Sequence, residues 1–413
     1  MEHVYASIDI GSDAIKLVVC ELYNGNLNLL AASSVPSNGI KKGLIIDPEL
    51  AKESISKAFD EVKAMLGFEV KEVIASAALY KVEYKVVKSD CDVKGDLITA
   101  SEINTLYKRA VRDNLTNNKE FVTLYPIDFI INGKNRMIDP KGFPGTKLSS
   151  RWMMISLPKK NLYSVASILE DLGIEIVDIS VSSIGNYCLS KNEKHRDAVG
   201  FIIDMGSETT TISLYNKGVP IASKVIGMGG RDIDSDISYM YKIDIDEAKK
   251  IKHRFVRCSK KYINPDDYYE ITNEEGEVIK INQVEVSEIA TSRMEEIISL
   301  VKNEINLLTN KPIQYIILTG GTSNLKDLNK LVSRILNSKT ETEKIKLIGV
   351  RNNKYSVALG NIIYFTDNLK LKGQDFTMLE NDDMEVLSSP DKHFVDTSNE
   401  TMLGKVFGYF FGE

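Results

Sequence analysis

The sequence has few residues suited to metal or redox chemistry. Its four cysteines, Cys20, Cys91, Cys188 and Cys258, lie far apart. No zinc spacing and no redox pair can be built from neighbours, so they are expected as reduced thiols of a cytosolic protein. The four histidines are scattered and form no His-Glu-x-x-His pattern. No apolar run reaches the ~18 residues of a membrane-spanning helix. The first residues include Glu2, His3 and Asp9 and lack the basic head and apolar run of a signal peptide. Positive charge is not in excess: 52 Lys and Arg face 58 Asp and Glu, a net of −6. That balance speaks against a nucleic-acid partner. There is no Walker A sequence, so a P-loop enzyme is not supported.

What is present is an ordinary globular composition, 43% hydrophobic and 27% charged over 413 residues. The length calls for two or more domains. Residues 4–10 and 15–22 are apolar, β-rich runs around a Gly-containing turn, which predicts a hairpin. Asp47-Pro48 opens a helical pattern that runs to Met65, and residues 70–78 are strand-like. The same order returns later. Residues 199–205 and 210–215 are strands around a turn at 206–209, and 313–321 is a strand ending in paired glycines, with a helix predicted over 325–336. The repeated strand–Asp-x-Gly–turn–strand order predicts two related α/β halves. Between them, residues 85–158 carry a helix at 101–112 and strands near 121–131 and 151–157. A piece at roughly 226–311 is inserted in the second half and ends in an amphipathic helix over 284–308.

Three turns have the parts of a nucleotide site. In Asp9-Ile10-Gly11-Ser12, Gly11 lets the backbone approach a phosphate closely. Ser12 and the loop amides can donate to it, Lys16 supplies a point charge, and Asp9 can orient water around Mg²⁺. In Asp204-Met205-Gly206-Ser207-Glu208-Thr209, Asp204 faces the metal, with Gly206, Ser207 and Thr209 toward the phosphates. In Thr319-Gly320-Gly321-Thr322, paired glycines let a flat base lie on the backbone. Glu247 and Lys250 are i, i+3 on a helix and share a face; they either grip the ribose and base edge or form a solvated ion pair. Each loop alone also fits an ordinary turn. Gly227-Met228-Gly229-Gly230 lacks the dinucleotide spacing and reads as a turn.

These residues resemble a known superfamily. Asp9-x-Gly11-Ser12 with Lys16, Asp204-x-Gly206 and Thr319-Gly320-Gly321 are similar to the two phosphate motifs and the adenosine motif of actin, heat-shock chaperones and sugar kinases. The narrower resemblance is to the FtsA family of bacterial cell-division proteins. Residues 37–47, 124–148, 227–238 and 247–254 are similar to that family's characteristic segments, with Pro126, Asp139-Pro140, Gly142, Gly145 and Leu148 in step. The second phosphate loop departs from the family in having fewer glycines, in Glu208, and in Thr211 where an acid is common.

The resemblance implies an α/β, actin-like two-domain fold with a central nucleotide cleft, two small inserted subdomains and a C-terminal amphipathic helix. The expected parts are a first large subdomain (1–84 and 160–197), a small subdomain (85–159), a second large subdomain (198–225 and 312–372) and another small one (226–311). A flexible linker at 373–400, with eight acidic residues against one lysine, leads to a membrane-targeting helix at 401–413. The implied ligands are ATP and Mg²⁺, with no catalytic residue assigned and at most slow hydrolysis. The implied partners are the C-terminal peptide of the tubulin-like protein FtsZ, other division proteins, and further copies of the chain through the small subdomains. Arg293 and Lys302 on the 284–308 helix are the expected peptide contacts. Met402, Leu403, Val406, Phe407, Tyr409, Phe410 and Phe411 share one face of the tail helix, as in a helix lying in a membrane interface. The implied place is the cytoplasmic face of the membrane at the division septum. An assembly ATPase of pilus or plasmid-segregation type, or a phosphotransferase or chaperone on the same fold, are the alternatives.

Overall fold

The computed structural model describes residues 3–115, 119–272, 276–379 and 383. The membrane-tail residues Met402 to Phe411 lie outside them.

Nearly continuous apolar runs, buried on both faces, produce the first hairpin, β1 (His3–Ile10) and β2 (Ala14–Tyr23), extended by β3 (Asn26–Pro36). Two short strands, β4 (Ile40–Lys41) and β5 (Leu44–Ile45), form a small finger. Helix α1 (Pro48–Leu66) starts where expected. The Asp47 side chain accepts from the Leu50 N–H, Pro48 fills a first-turn position that needs no donor, and Gly67 ends the helix in the left-handed region. Strand β6 (Glu72–Ala77) then pairs parallel to β1.

The chain next leaves this sheet for β7 (Glu83–Asp92), α2 (Ala100–Arg112), β8 (Glu120–Ile131), β9 (Asn135–Met137) and β10 (Lys147–Leu157). These strands form a separate four-stranded sheet, β7-β10-β8-β9. It returns through α3 (Lys159–Asp171), β11 (Glu175–Val181) and α4 (Ser182–Ser190). The first large sheet therefore reads β11-β6-β1-β2-β3.

The second half repeats the plan with β12 (Val199–Met205), β13 (Thr210–Asn216) and β14 (Val219–Ile226). An insertion follows: α5 (Gly230–Tyr241), α6 (Ile245–Arg254), the hairpin β15 (Tyr268–Thr272)–β16 (Val278–Asn282) and the long α7 (Gln283–Leu308). Strands β17 (Tyr315–Thr319) and β18 (Thr340–Thr342) flank α8 (Leu328–Leu336), and α9 (Ser356–Lys372) closes the half. Its sheet is ordered β14-β13-β12-β17-β18. Each half has its own apolar core. One gathers β1, β2, α1 and β6, and the other gathers β12, α5, α6, α7 and β17.

Helices α4 and α9 cross between the halves at Gly185 and Gly360. A Cβ on Gly360 would lie 1.8 Å from the Gly185 carbonyl oxygen, so only glycine permits this approach. After α9, the first residues of the segment expected as a free linker pack on β1. The Met378 N–H donates to the Val4 carbonyl at 3.0 Å, the Tyr5 hydroxyl donates to the Phe376 carbonyl at 2.9 Å, and Met378 and Leu379 are buried.

Candidate functional site

The two hairpin turns are equivalent, residue for residue. In β1–β2 the last pairs before the turn are Asp9↔Lys16 and Ile10↔Ile15; in β12–β13 they are Asp204↔Thr211 and Met205↔Thr210. Both turns close in the same way. The Gly11 N–H donates to the Ala14 carbonyl at 3.2 Å, and the Gly206 N–H to the Thr209 carbonyl at 2.9 Å. Each apolar strand thus drives an Asp-x-Gly turn to its end, and the two turns face each other across one cleft.

That cleft has a volume of roughly 860 Å³ and is lined by Asp9, Gly11, Ser12, Lys16, Asp204, Gly206, Ser207, Thr209, Gly320, Gly321 and Thr322. The size falls in the usual range for small-molecule sites, roughly 300–1,000 Å³. All the loop residues singled out in the sequence meet here. The third turn is tied to the second: the Thr322 hydroxyl donates to the Gly206 carbonyl at 2.8 Å. Gly320 has φ +82°, and a Cβ on it would stand 2.2 Å from Asp204 Oδ1. No side chain fits at that position.

The two aspartates differ in surroundings. Asp9 is largely buried and pairs with Lys16 at 2.7 Å, while the Ser76 hydroxyl donates to it at 3.0 Å. Asp204 is partly buried and, among the described residues, receives one side-chain hydrogen bond, from the Asn186 amide at 2.9 Å. Burial pushes its pKa up to about 6; the Asn186 hydrogen bond lowers it, and nearby Asp9 adds to the rise.

Glu247 and Lys250 do not join the site. They pair with each other beside the cleft, and it is Asp246, Lys249, Lys252 and His253 of α6 that line it. The cause is the phase of the helix. Ala248 and Ile251 are its core-facing residues, which sets 246, 249 and 253 on the cleft side. Lys249 reaches Asp13 across the cleft at 2.5 Å. Lys252 is buried against Asp234 at 2.7 Å and also donates to the Gly230 carbonyl. His253 is exposed at the rim of the cleft, and its pKa is lowered by the partial desolvation of its ring there, with Lys252 and Lys249 adding to the effect. Gly227–Gly230, read as a turn, bends at Gly227 and leads into α5, with Gly229 as the N-cap and Gly230 as the first helical residue. Asp232 accepts from the Gly229 N–H at 2.7 Å in a capping interaction. The α5 start packs on the second loop, with Gly230 N–H to the Gly206 carbonyl at 3.0 Å and Arg231 N–H to the Ser207 carbonyl at 2.7 Å. A Cβ on Gly229 would meet the Ser207 oxygen at 2.5 Å, and that close packing is the signal in the glycine cluster that a turn reading misses.

Away from the cleft, Arg293 and Lys302 both have partners within the chain. Arg293 grips Asp236 of α5 through Nε at 2.7 Å and Nη2 at 2.8 Å, and donates to Glu296 at 2.6 Å. Lys302 donates to the Ile335 carbonyl at 2.9 Å. Among the described residues, no cluster of His, Cys, Asp or Glu is grouped to hold a metal by protein ligands alone, no helix is long and apolar enough to cross a membrane, and all four cysteines are buried and free.

Comparison with known proteins bears on what this arrangement is. The sequence model of the family described as "Cell division protein FtsA" matches residues 201–360. The cell division protein FtsA of Bacillus subtilis (strain 168) is 28% identical, covering 90% of this chain and 85% of that protein. FtsA of Streptococcus pneumoniae is 24% identical, covering 86% and 78%. Among solved structures, the PilM–PilN type IV pilus biogenesis complex has a chain similar at a TM-score of 0.59, with 16% identity over 87% of this chain and 98% of that one. MreB5 of Spiroplasma citri bound to ADP matches at a TM-score of 0.54, with 15% identity over 90% and 98%. The motifs, the duplicated α/β plan and these matches agree: the chain is similar to FtsA cell-division proteins over most of its length, and its fold is the actin-like one.

Proposed function

We propose that this chain is an actin-like, ATP-binding adaptor of bacterial cell division. It would self-associate through its small subdomains at 85–159 and 226–311. It would bind the C-terminal peptide of FtsZ and tether FtsZ to the inner face of the membrane through residues 401–413. The observation that carries the reading is the convergence of both Asp-x-Gly turns and the Gly320-Gly321 turn on one cleft. The homology to FtsA proteins supports the division role, and the likeness to an ADP-bound MreB supports a nucleotide in the cleft.

The donor set suits Mg²⁺·ATP. Asp204 is a partly buried carboxylate whose one side-chain hydrogen-bond partner among the described residues is an amide, and a hydrated cation beside it would compensate a charge that desolvation opposes. Ser12, Ser207, Thr209 and the turn amides would hold the phosphates, and Gly320 and Gly321 the base. Bound Mg²⁺ would supply charge neutralisation to the phosphate chain. Nucleotide would act mainly on conformation and assembly, with hydrolysis slow at most. The FtsZ peptide, if it docks on α7, must compete with Asp236 for Arg293 or use neighbouring surface.

Co-sedimentation with FtsZ and anionic lipid vesicles in the presence of Mg²⁺·ATP tests the adaptor. The full chain is expected to carry FtsZ into the vesicle pellet, and a chain ending at Asn399 to leave it in solution. FtsZ pelleting equally with both chains would remove the tail as anchor. No FtsZ pelleting with the full chain would favour an assembly protein of pilus type, which the likeness to the PilM–PilN complex keeps in view.

A further inference from the structure

The third residue of each phosphate turn is an acid, Asp13 in the first and Glu208 in the second, and each reaches across the cleft to the other half. Asp13 takes the Lys249 ammonium at 2.5 Å, and Glu208 takes the Lys42 backbone N–H, at the tip of the β4–β5 finger, at 2.6 Å. The two contacts are related by the internal duplication, because Asp13 and Glu208 hold the same position in turns of equal length. Both hydrogen-bond donors are of the kind that binds phosphate, an ammonium and a backbone amide in a tight turn. Both carboxylates sit in the cleft lining. The Asp13–Lys249 pair is more than a third exposed on each side, so it can exchange partners readily. Asp13 also feels Lys252 and Lys16, and its pKa is lowered: burial raises it, but the Lys249 hydrogen bond and these charges outweigh burial. One carboxylate thus faces three ammonium groups.

We propose that the Lys249 ammonium and the Lys42 N–H form a second pair of phosphate donors in the cleft, for which Asp13 and Glu208 compete with the phosphate chain of the nucleotide. The two acids form a clasp: they join the halves when they hold the donors, and they release them when phosphate takes their place. The inference rests on the nucleotide reading above and adds to it a residue, Lys249, and an affinity control that the loops alone do not contain. It runs against the usual expectation for a ligand-lining residue, because removing the acid strengthens binding.

The test is equilibrium binding of Mg²⁺·ATP, and of adenosine as a phosphate-free probe, to the full chain and to Asp13→Asn, Glu208→Gln, Lys249→Ala and the Asp13→Asn/Lys249→Ala double variant. Thermal melting confirms that each is folded. Asp13→Asn and Glu208→Gln are each expected to tighten ATP binding by roughly twofold to fivefold, the upper range of a partly exposed charge contact. Lys249→Ala is expected to weaken ATP binding by a similar factor. In the Lys249→Ala background, Asp13→Asn should give much less of its gain, because the contested donor is gone. Adenosine should bind all four alike. Unchanged or weaker ATP binding by folded Asp13→Asn, or an equal gain with and without Lys249, would overturn the proposal while leaving the nucleotide reading standing. Failure of the wild type to bind either ligand would instead overturn the nucleotide reading itself.

Discussion

The two halves use one turn geometry and give it different electrostatics. In the first, the residue opposite Asp9 on the neighbouring strand is Lys16, and the pair is buried together. In the second, the residue opposite Asp204 is Thr211, and the carboxylate keeps only an amide. A single register position therefore decides whether a buried aspartate is neutralised within the chain or depends on something bound beside it. The first turn is complete in itself. The second is held by backbone contacts to α5 and by Thr322, and its carboxylate has no cation of its own turn, only the field of Lys16 from the other half and the Asn186 amide.

Five substitutions test this contrast. The largest effect is expected from Gly320→Asp. Its side chain would stand against Asp204 Oδ1 and the Met205 carbonyl at a φ that disfavours side chains. ATP binding should fall by on the order of a hundredfold or more, with circular dichroism confirming the fold. Next, Lys16→Met leaves Asp9 buried without its cation, with Ser76 still donating. Breaking a buried pair costs roughly 3–5 kcal/mol, and the low end is expected here, measured by denaturant unfolding. Asp204→Asn should act in the opposite direction. The Asp204 pKa stands at about 6 in the folded chain against 3.8 for an ordinary aspartate. The folded state therefore binds the proton more tightly, and the associated stability is present at acid pH and lost as pH rises through about 4 to 6. At pH 7 the amide should stabilise the protein by up to roughly 3 kcal/mol, and the gain should vanish below about pH 4. Asp9→Asn, by contrast, should destabilise at pH 7, since it strands Lys16. Last, Thr211→Lys would give the second turn the cation of the first. A gain of roughly 1 kcal/mol at pH 7 is expected, with the pH dependence assigned to Asp204 flattened.

Much of this contrast was legible in the sequence. Apolar runs and the Asp47-Pro48 cap located β1, β2, α1, β12, β13 and β17, and the turn residues named in all three loops line the cleft. Phase on the helices was harder. The i, i+3 rule places Glu247 and Lys250 on one face but does not say which face meets the cleft; the burial of Ala248 and Ile251 decides that, and it is a tertiary fact. The same holds for Arg293: sequence shows a cation on a polar face, and only packing against α5 shows that Asp236 holds it. Helix α9 gave no amphipathic signal because it is buried nearly all round, between the halves. The residues after Gly373 looked like linker because they are acidic, although their first few fill a place beside β1.

The central claim is that these turns form one nucleotide site. Isothermal titration of Mg²⁺·ATP into the full chain tests it most directly. The account predicts saturable binding with one site per chain, lost in folded Gly320→Asp. A flat titration of the wild type, or binding that survives Gly320→Asp unchanged, would contradict it.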